Sequence, residues 1–281
     1  KLPNQINEFF LWPADVVLGL YDNPDNWSIP DVILKFTNDI SNAIKEIRPK
    51  AKMSFLSYWS TWGVPNKVKP ADSVFLEIAH IHQCFSHSIS NPLCPVNSNE
   101  VANVIDGLLE IFDPSETHVL GYWLDASLFG RGVYQDLSGR LPNTGSIIQQ
   151  DLIYYKNKGI PNISTFAVDL NKEYFQRFAS PDVFLYPMLL WDVDIDVDQE
   201  LANFCENYYG SRDMIEVFQY TEQIDPRHAE QFNSLKQHLL HSEIVVKDVI
   251  KSTSSDVYTL RLNKLLDEIE HVHKWINKTL A

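Results

Sequence analysis

The chain has 281 residues, of which 44% are hydrophobic and 12% are aromatic, and its formal net charge is −14 at pH 7. A chain of this length and apolar content can bury a large core, which excludes an intrinsically disordered protein and indicates one large domain with room for an appendage. The negative charge argues against nucleic acids and anionic membrane surfaces as partners, because both would repel the protein.

No apolar run reaches the roughly 18 residues that a membrane-crossing helix needs, so the sequence predicts no membrane span. The start also lacks a basic segment followed by an apolar one, the pattern of a secretory signal. Because the first residue is Lys1, the chain is either a mature protein or a piece of a longer one. An exported protein, extracellular or periplasmic, therefore stays an open alternative.

Short runs rich in β-branched and aromatic residues alternate with helical patterns up to about residue 190. Such runs are typical of buried strands. The predicted strands are VVLGLYD (16–22), KMSFLSYW (52–59), SVFLEIAHI (73–81), HVLGYWLDA (118–126) and NISTFAVDL (162–170). Strands separated by helices indicate right-handed crossovers and a parallel sheet. These five units suffice for an open sheet, whereas an eight-stranded barrel would need three further units from upstream of Lys1 or from elsewhere.

Three amphipathic helices are predicted between these strands. The first follows Ser28 as N-cap, has Pro30 in its first turn and is stopped by Pro49. The other two cover residues 99–112 and 146–159, and Gly159 closes the last of them as a C′ glycine.

After residue 197 the sequence predicts helices only. The last of these has an apolar stripe formed by Tyr258, Leu262, Leu265, Ile269, Val272 and Ile276. We therefore expect an α/β portion over residues 1–197 and a helical bundle over residues 198–281.

Polar and aromatic residues lie at the carboxyl ends of the predicted strands, where parallel α/β folds place their ligand sites. They are Asp22, Tyr58, Trp59, His80, His82, Trp123, Asp125 and Asp169. Such a mixture suits a sugar, whose C–H faces stack on aromatic rings while its hydroxyls bond to carboxylates and imidazoles. Glycosidic hydrolysis takes two acids, or one acid plus the acetamido group of the substrate. An aromatic side chain at a strand end can equally be core packing, and an Asp there can cap a helix.

The stretch HIHQCFSHSISNPLC, residues 80–94, combines histidines and cysteines. A metal site would use His80, His82 and Cys84 on one side of an extended strand, with His87 or Cys94 as the fourth ligand. The spacing matches no recurring structural zinc pattern and no second ligand cluster exists, so the sequence predicts no bound metal. Ordinary buried histidines and a pocket for an uncharged polar ligand are the alternatives.

The chain has only three cysteines, which leave at most one disulfide. Cys84 and Cys94 are the nearest pair in sequence, and Cys205 lies far from both.

Several segments together resemble a bacterial family called domain of unknown function 4838. They are CFSHSISNPLCPVNSNE, YWLD, YYKNKGI and LLWDVDIDVDQELANFCENYYG, and the likeness runs from about Asp22 to Gly210. Some members of that family are classed as glycoside hydrolase family 163, endo-β-N-acetylglucosaminidases that act on N-glycans.

The resemblance implies a TIM-barrel-like (β/α)8 fold with a helical C-terminal region, in which this chain supplies the later strands and begins inside the barrel. It also implies acidic residues at two positions where this sequence has His82 and Thr165. Asp125 and Asp169, at neighbouring strand ends, are therefore the predicted catalytic acid and its assisting carboxylate.

We expect a glycoside hydrolase-like protein that acts on N-acetylhexosamine-containing glycans without a cofactor. Trp123, Tyr58 and Trp59 are predicted to stack on the sugar, and Asp22, His82 and His87 to bond its hydroxyls. Two alternatives remain: a non-catalytic glycan-binding or scaffold protein of the same fold, and a zinc-dependent hydrolase centred on the histidine stretch.

Overall fold

The computed structural model describes residues 6–13, 26–85, 87–125, 145–168, 170, 172, 181–218 and 229–279. Its described strands form one curled parallel sheet in chain order, which confirms the α/β fold. The strands are β1 (Glu8–Phe9), β2 (Lys52–Ser57), β3 (Val74–Ile78), β4 (His118–Asp125) and β5 (Asn162–Val168). Closure into an eight-stranded barrel and a C-terminal bundle stay predictions.

Strands β2 to β5 lie where the sequence predicted them. The predicted run at 16–22 falls outside the described residues. Strand β1 was not predicted, because its two residues are too short to show an alternating pattern.

The helices between the strands follow the predicted capping signals. Helix α1 (Ile29–Ile47) begins with a capping box in which Ser28 Oγ accepts from the Asp31 N–H and the Asp31 carboxylate accepts from the Ser28 N–H. Helix α2 (Asn103–Leu109) continues a π-helical segment, Val96–Ala102. Helix α3 (Gly145–Lys158) ends at Gly159, whose φ is +79°.

The register of the sheet decides which side chains share a face. Leu56 pairs with Glu77, and Glu77 pairs in turn with His118. Partners in a parallel pair point to the same side, so Glu77 and His118 lie on one face. Leu76 and Ile78 point to the opposite face, where Phe55 stacks on Phe112 with ring centroids 5.7 Å apart.

The later part of the chain is helical. Its helices are α4 (Pro181–Trp191), α5 (Val197–Tyr209), α6 (Ile215–Phe218), α7 (Ala229–Ser252) and α8 (Asp256–Thr279). The side chains of α5 to α8 share one apolar core. The predicted stripe of α8 belongs to this core from Leu262 to Ile276, and Tyr258 packs against it partly buried.

The chain divides into two compact units. The first unit consists of residues 1–122 and 153–165, and the second of residues 123–152 and 166–281. Among the described residues, no helix is both long and apolar enough to cross a membrane.

Candidate functional site

Glu77 is a buried carboxyl group in the otherwise apolar strand β3 and is only 4% exposed. The indole Nε1–H of Trp12 donates to its Oε2 at 2.8 Å. The side chain of Ser54 also hydrogen-bonds to Glu77, and Ser54 Oγ accepts from the Leu11 N–H at 3.0 Å. The segment after β1 is thereby fastened to Glu77.

Burial raises the pKa of Glu77 above its ordinary value, although the hydrogen bonds from Trp12 and Ser54 oppose the shift. A carboxyl group with a raised pKa keeps its proton closer to neutral pH, as a general acid requires. Sequence reasoning did not select Glu77 as a site residue. The sequence did contain a signal for it, because Glu77 is the only acid in the apolar run SVFLEIAHI.

His118 lies on the same face of the sheet as Glu77 and contacts aromatic rings. Its ring centroid is 5.1 Å from that of Phe75 and 5.3 Å from that of Phe10. Burial lowers the pKa of His118, and the charge of Glu8 raises it only in part. This face therefore combines a carboxyl group whose pKa is raised with an imidazole whose pKa is lowered, and burial is the main cause of both shifts.

His80 lies beyond the end of β3 and packs against helix α3. Its Nε2 is hydrogen-bonded to the Tyr155 hydroxyl, and the two rings are stacked with centroids 6.0 Å apart. Burial lowers the pKa of His80 to about 4, so the ring is neutral at physiological pH. This neutral imidazole pairs with a fully buried tyrosine and fastens the strand end to α3.

Three predicted sugar-binding residues come together after β2 and β3. The Trp59 ring is 6.2 Å from the Tyr58 ring and 5.0 Å from the His82 ring, measured between centroids. Trp59 is 44% exposed and has a positive φ of +44°, a strained conformation for a large side chain. Thr61 stabilises this turn, because its Oγ1 donates to Leu56 O at 2.6 Å and accepts from the Tyr58 N–H at 3.0 Å.

The other predicted catalytic and stacking residues lie elsewhere or are not described. Trp123 is 3% exposed, its indole N–H donates to the Asp151 carboxylate at 3.2 Å, and its ring contacts Tyr186. Asp125 ends β4 and is 3% exposed. Asp22 and Asp169 fall outside the described residues.

Two cysteine thiols and one imidazole lie close together in the histidine stretch. One ligand atom each from Cys84, His87 and Cys94 lies within 4.8 Å of the other two. Cys84 Sγ is 3.3 Å from His87 Nδ1. The predicted partner His82 instead lies against Trp59. His87 therefore belongs to the cysteine cluster.

Comparison with known proteins gives one result. Residues 21–222 match the model of a family described as a domain of unknown function (DUF4838). The match covers more than half of the chain, so the protein belongs to this family. No curated protein and no solved structure matches the chain.

Proposed function

We propose that this DUF4838 protein is a glycoside hydrolase that acts on N-acetylhexosamine-containing glycans. The observation that carries the proposal is Glu77, a buried carboxyl with a raised pKa that hydrogen-bonds to the exposed indole of Trp12. The resemblance to glycoside hydrolase family 163 supports the same function, and a (β/α)8 closure of the sheet by further units is part of the proposal.

Glu77 has the properties that protonation of a glycosidic oxygen requires. Its raised pKa keeps a proton available, and departure of the leaving group is assisted when that proton moves to the leaving oxygen. Glu77 also lies near the carboxyl end of a parallel strand, the end at which such folds bind ligands. A substrate acetamido group can then serve as the nucleophile, which leaves the protein with one acid to supply directly.

The exposed aromatic rings supply a surface for the sugar. Trp12 is 52% exposed and Trp59 is 44% exposed, and both follow the carboxyl ends of strands. The C–H faces of a hexosamine stack on such rings, and His82 beside Trp59 offers a hydrogen bond to a hydroxyl. A neutral glycan also tolerates the net charge of −14, whereas a polyanion would be repelled.

Asp125 and Asp169 are the acid and the assisting carboxylate that the sequence predicts, and Glu77 is the alternative candidate for the acid. Asp125 is buried at the end of β4, as a reacting carboxylate excluded from bulk water would be. The roles can be separated because each residue has a nearly isosteric amide replacement.

The test is release of sugars from N-glycoproteins and from a chitobiose-containing glycan, followed by mass spectrometry. The chain is assayed alone and joined to any segment that precedes Lys1 in its gene. Glu77→Gln should lower turnover on the order of 100-fold or more and leave glycan affinity unchanged. The exposed Glu46→Gln variant is the matched control and should keep full turnover.

Two results would contradict parts of the proposal. Glycan binding without release by the wild-type protein would favour the non-catalytic glycan-binding alternative. Release that survives in Glu77→Gln but is lost in Asp125→Asn and Asp169→Asn would assign catalysis to the aspartates and remove Glu77 from the mechanism.

A further inference from the structure

We propose that Cys84, His87 and Cys94 bind a Zn²⁺ ion. The two thiols and the imidazole place one ligand atom each within 4.8 Å of the others, in a loop that follows strand β3. Two sulfurs and one nitrogen are ligands typical of zinc, whereas Mg²⁺ and Ca²⁺ prefer oxygen.

The spacing of the ligand atoms fits a tetrahedral ion. Zinc–sulfur bonds of about 2.3 Å and zinc–nitrogen bonds of about 2.0 Å place a sulfur and a nitrogen ligand roughly 3.5 Å apart. Cys84 Sγ and His87 Nδ1 are 3.3 Å apart. Cys94 Sγ lies within 4.8 Å of both, so a side-chain movement on the order of 1 Å would complete the geometry.

Asn97 holds all three ligand residues. It is fully buried, and its Oδ1 accepts from the Cys84 N–H at 2.8 Å. Its Nδ2 donates to Cys84 O at 2.9 Å and to His87 O at 2.7 Å. The Asn97 backbone N–H donates to Cys94 Sγ at 3.5 Å, a contact that stabilises negative charge on a thiolate.

The backbone around Asn97 is π-helical, a conformation that is rare in proteins. Asn97 lies in the π-helical segment Val96–Ala102, and π-helical turns are frequent at functional sites because the extra residue redirects side chains. Cys94 lies two residues before this segment and is buried, while Cys84 is half-buried and His87 is exposed. An ion could therefore enter from the solvent side, and three protein ligands leave a fourth position for water or another ligand.

The ligand set differs from the one that the sequence suggested. The sequence-based set used His80 and His82, and the absence of a standard spacing led to the prediction of no metal. In the structure His80 bonds to Tyr155 and His82 contacts Trp59. Of the sequence-based set Cys84 remains, and both candidates for the fourth ligand, His87 and Cys94, lie beside it.

The first test is titration of the reduced, chelator-treated protein with Zn²⁺ in a calorimeter. We expect one equivalent to bind the wild type, and we expect His87→Gln to weaken the affinity by more than the 10- to 100-fold that loss of an outer partner causes. His82→Gln is the matched control, since it makes the same substitution at an exposed histidine of the same loop, and should bind as the wild type does. Equal losses in both variants, or no binding by the wild type, would overturn the proposal.

The second test needs no variant. Zn²⁺ should protect Cys84 and Cys94 from alkylation, while Cys205, buried in α5, reacts equally with and without the ion. Co²⁺ in place of Zn²⁺ should give a thiolate-to-metal charge-transfer band. A Cys84–Cys94 disulfide that persists in the purified protein when Zn²⁺ and reductant are supplied would show that the pair is a structural bridge and would overturn the proposal.

Discussion

The first unit and the helical core of the second unit differ in the side chains that they bury. The first unit buries ionisable and polar side chains, among them Asp31, Glu77, His80 and Asn97. Helices α5 to α8 in the second unit share a core of aliphatic and aromatic side chains, beside which Ser242 and Glu268 are buried polar residues of the same helices. Buried polar groups cost free energy unless they are hydrogen-bonded, whereas apolar contacts contribute in proportion to the area removed from water. The helical core therefore serves stability, and each buried polar group of the first unit needs its own explanation.

Two buried carboxyl groups of the first unit show how such explanations diverge. Burial would raise the pKa of Asp31, but hydrogen bonds from Ser28 and from the backbone N–H groups of Lys67 and Val68 outweigh it, and the pKa is lowered. Burial prevails at Glu77, and its pKa is raised. Asp31 is thus a structural anion, whereas Glu77 is held in the state that favours a proton.

The largest expected effect tests the helical core. Leu262 is fully buried in α8, so Leu262→Ala should destabilise the protein by about 2 to 5 kcal/mol because a cavity remains. Leu260, two residues earlier, is 58% exposed, and Leu260→Ala should change stability by less than about 0.5 kcal/mol. Denaturant unfolding measures both. Equal effects would show that the stripe of α8 does not face the core.

The next prediction concerns the turn after α5. Gly210 has a φ of +83°, and a Cβ atom there would overlap the ring of Tyr258. Gly210→Ala should therefore cost about 1 to 2 kcal/mol for the left-handed backbone and about 1 to 3 kcal/mol for the overlap. Gly159→Ala is the control: φ is +79°, but the nearest atom is 3.8 Å away in Pro114.

The comparison of these two variants isolates the ring contact. Thermal unfolding should show a larger loss for Gly210→Ala than for Gly159→Ala. Equal losses would mean that Tyr258 moves aside without cost and that its packing does not fix the turn.

A third prediction tests the structural anion. Asp31 Oδ1 accepts from the backbone N–H groups of Asn66, Lys67 and Val68 at 2.8 to 3.1 Å. Asp31→Asn should cost about 1.5 to 3 kcal/mol, because a neutral amide accepts these bonds less strongly. Asp39→Asn, at an exposed ion pair with Lys35, should cost less than about 1 kcal/mol.

The pH dependence of Asp31 has a defined sign. The pKa of Asp31 is lowered in the folded protein. Its contribution to the free energy of unfolding is therefore present above the ordinary value of 3.8 and is lost as the pH falls through the folded pKa. The difference in free energy of unfolding between wild type and Asp31→Asn, measured by denaturant unfolding, should therefore shrink in strong acid. A difference in stability that stays constant from neutral pH into strong acid would contradict the assignment of Asp31 as a buried anion.

Local patterns explain why much of the fold was predictable. Helix α1 follows from its capping box and apolar spacing, and β2 to β5 follow from runs of β-branched and aromatic residues. Helix α4 was missed because Pro187 lies inside a continuous apolar run that shows no helical period. The strand-end rule also brought together Tyr58, Trp59 and His82.

The rest of the site depends on contacts between residues far apart in sequence. Glu77 meets Trp12 across 65 positions, and His80 meets Tyr155 across 75 positions. No periodicity encodes these pairs, so the sequence alone could not separate a glutamate with a raised pKa from a buried structural anion. The same holds for Cys94, which reaches Cys84 only through the path of the loop.

The smallest expected effect concerns Glu77, whose pH dependence has the opposite sign to that of Asp31. The pKa of Glu77 is raised in the folded protein. Its contribution to the free energy of unfolding is therefore fully present below the ordinary value of 4.5 and is lost as the pH rises through the folded pKa. Glu77→Gln keeps the shape of the protonated acid but cannot ionise. Near pH 4 the variant should match the wild type, and at neutral pH it should be more stable. Urea unfolding at both pH values measures this, with the exposed Glu46→Gln as the control that shows no such dependence.

This last result bears directly on catalysis. A protein that gains stability when Glu77 loses its charge retains the glutamate at a cost, as active sites commonly do. If Glu77→Gln is instead less stable than the wild type at neutral pH, the ionised carboxylate is stabilised by the Trp12 indole and Ser54, as Asp31 is by its own donors. Glu77 would then be a second structural anion, and the general acid would have to be sought at Asp125 or Asp169.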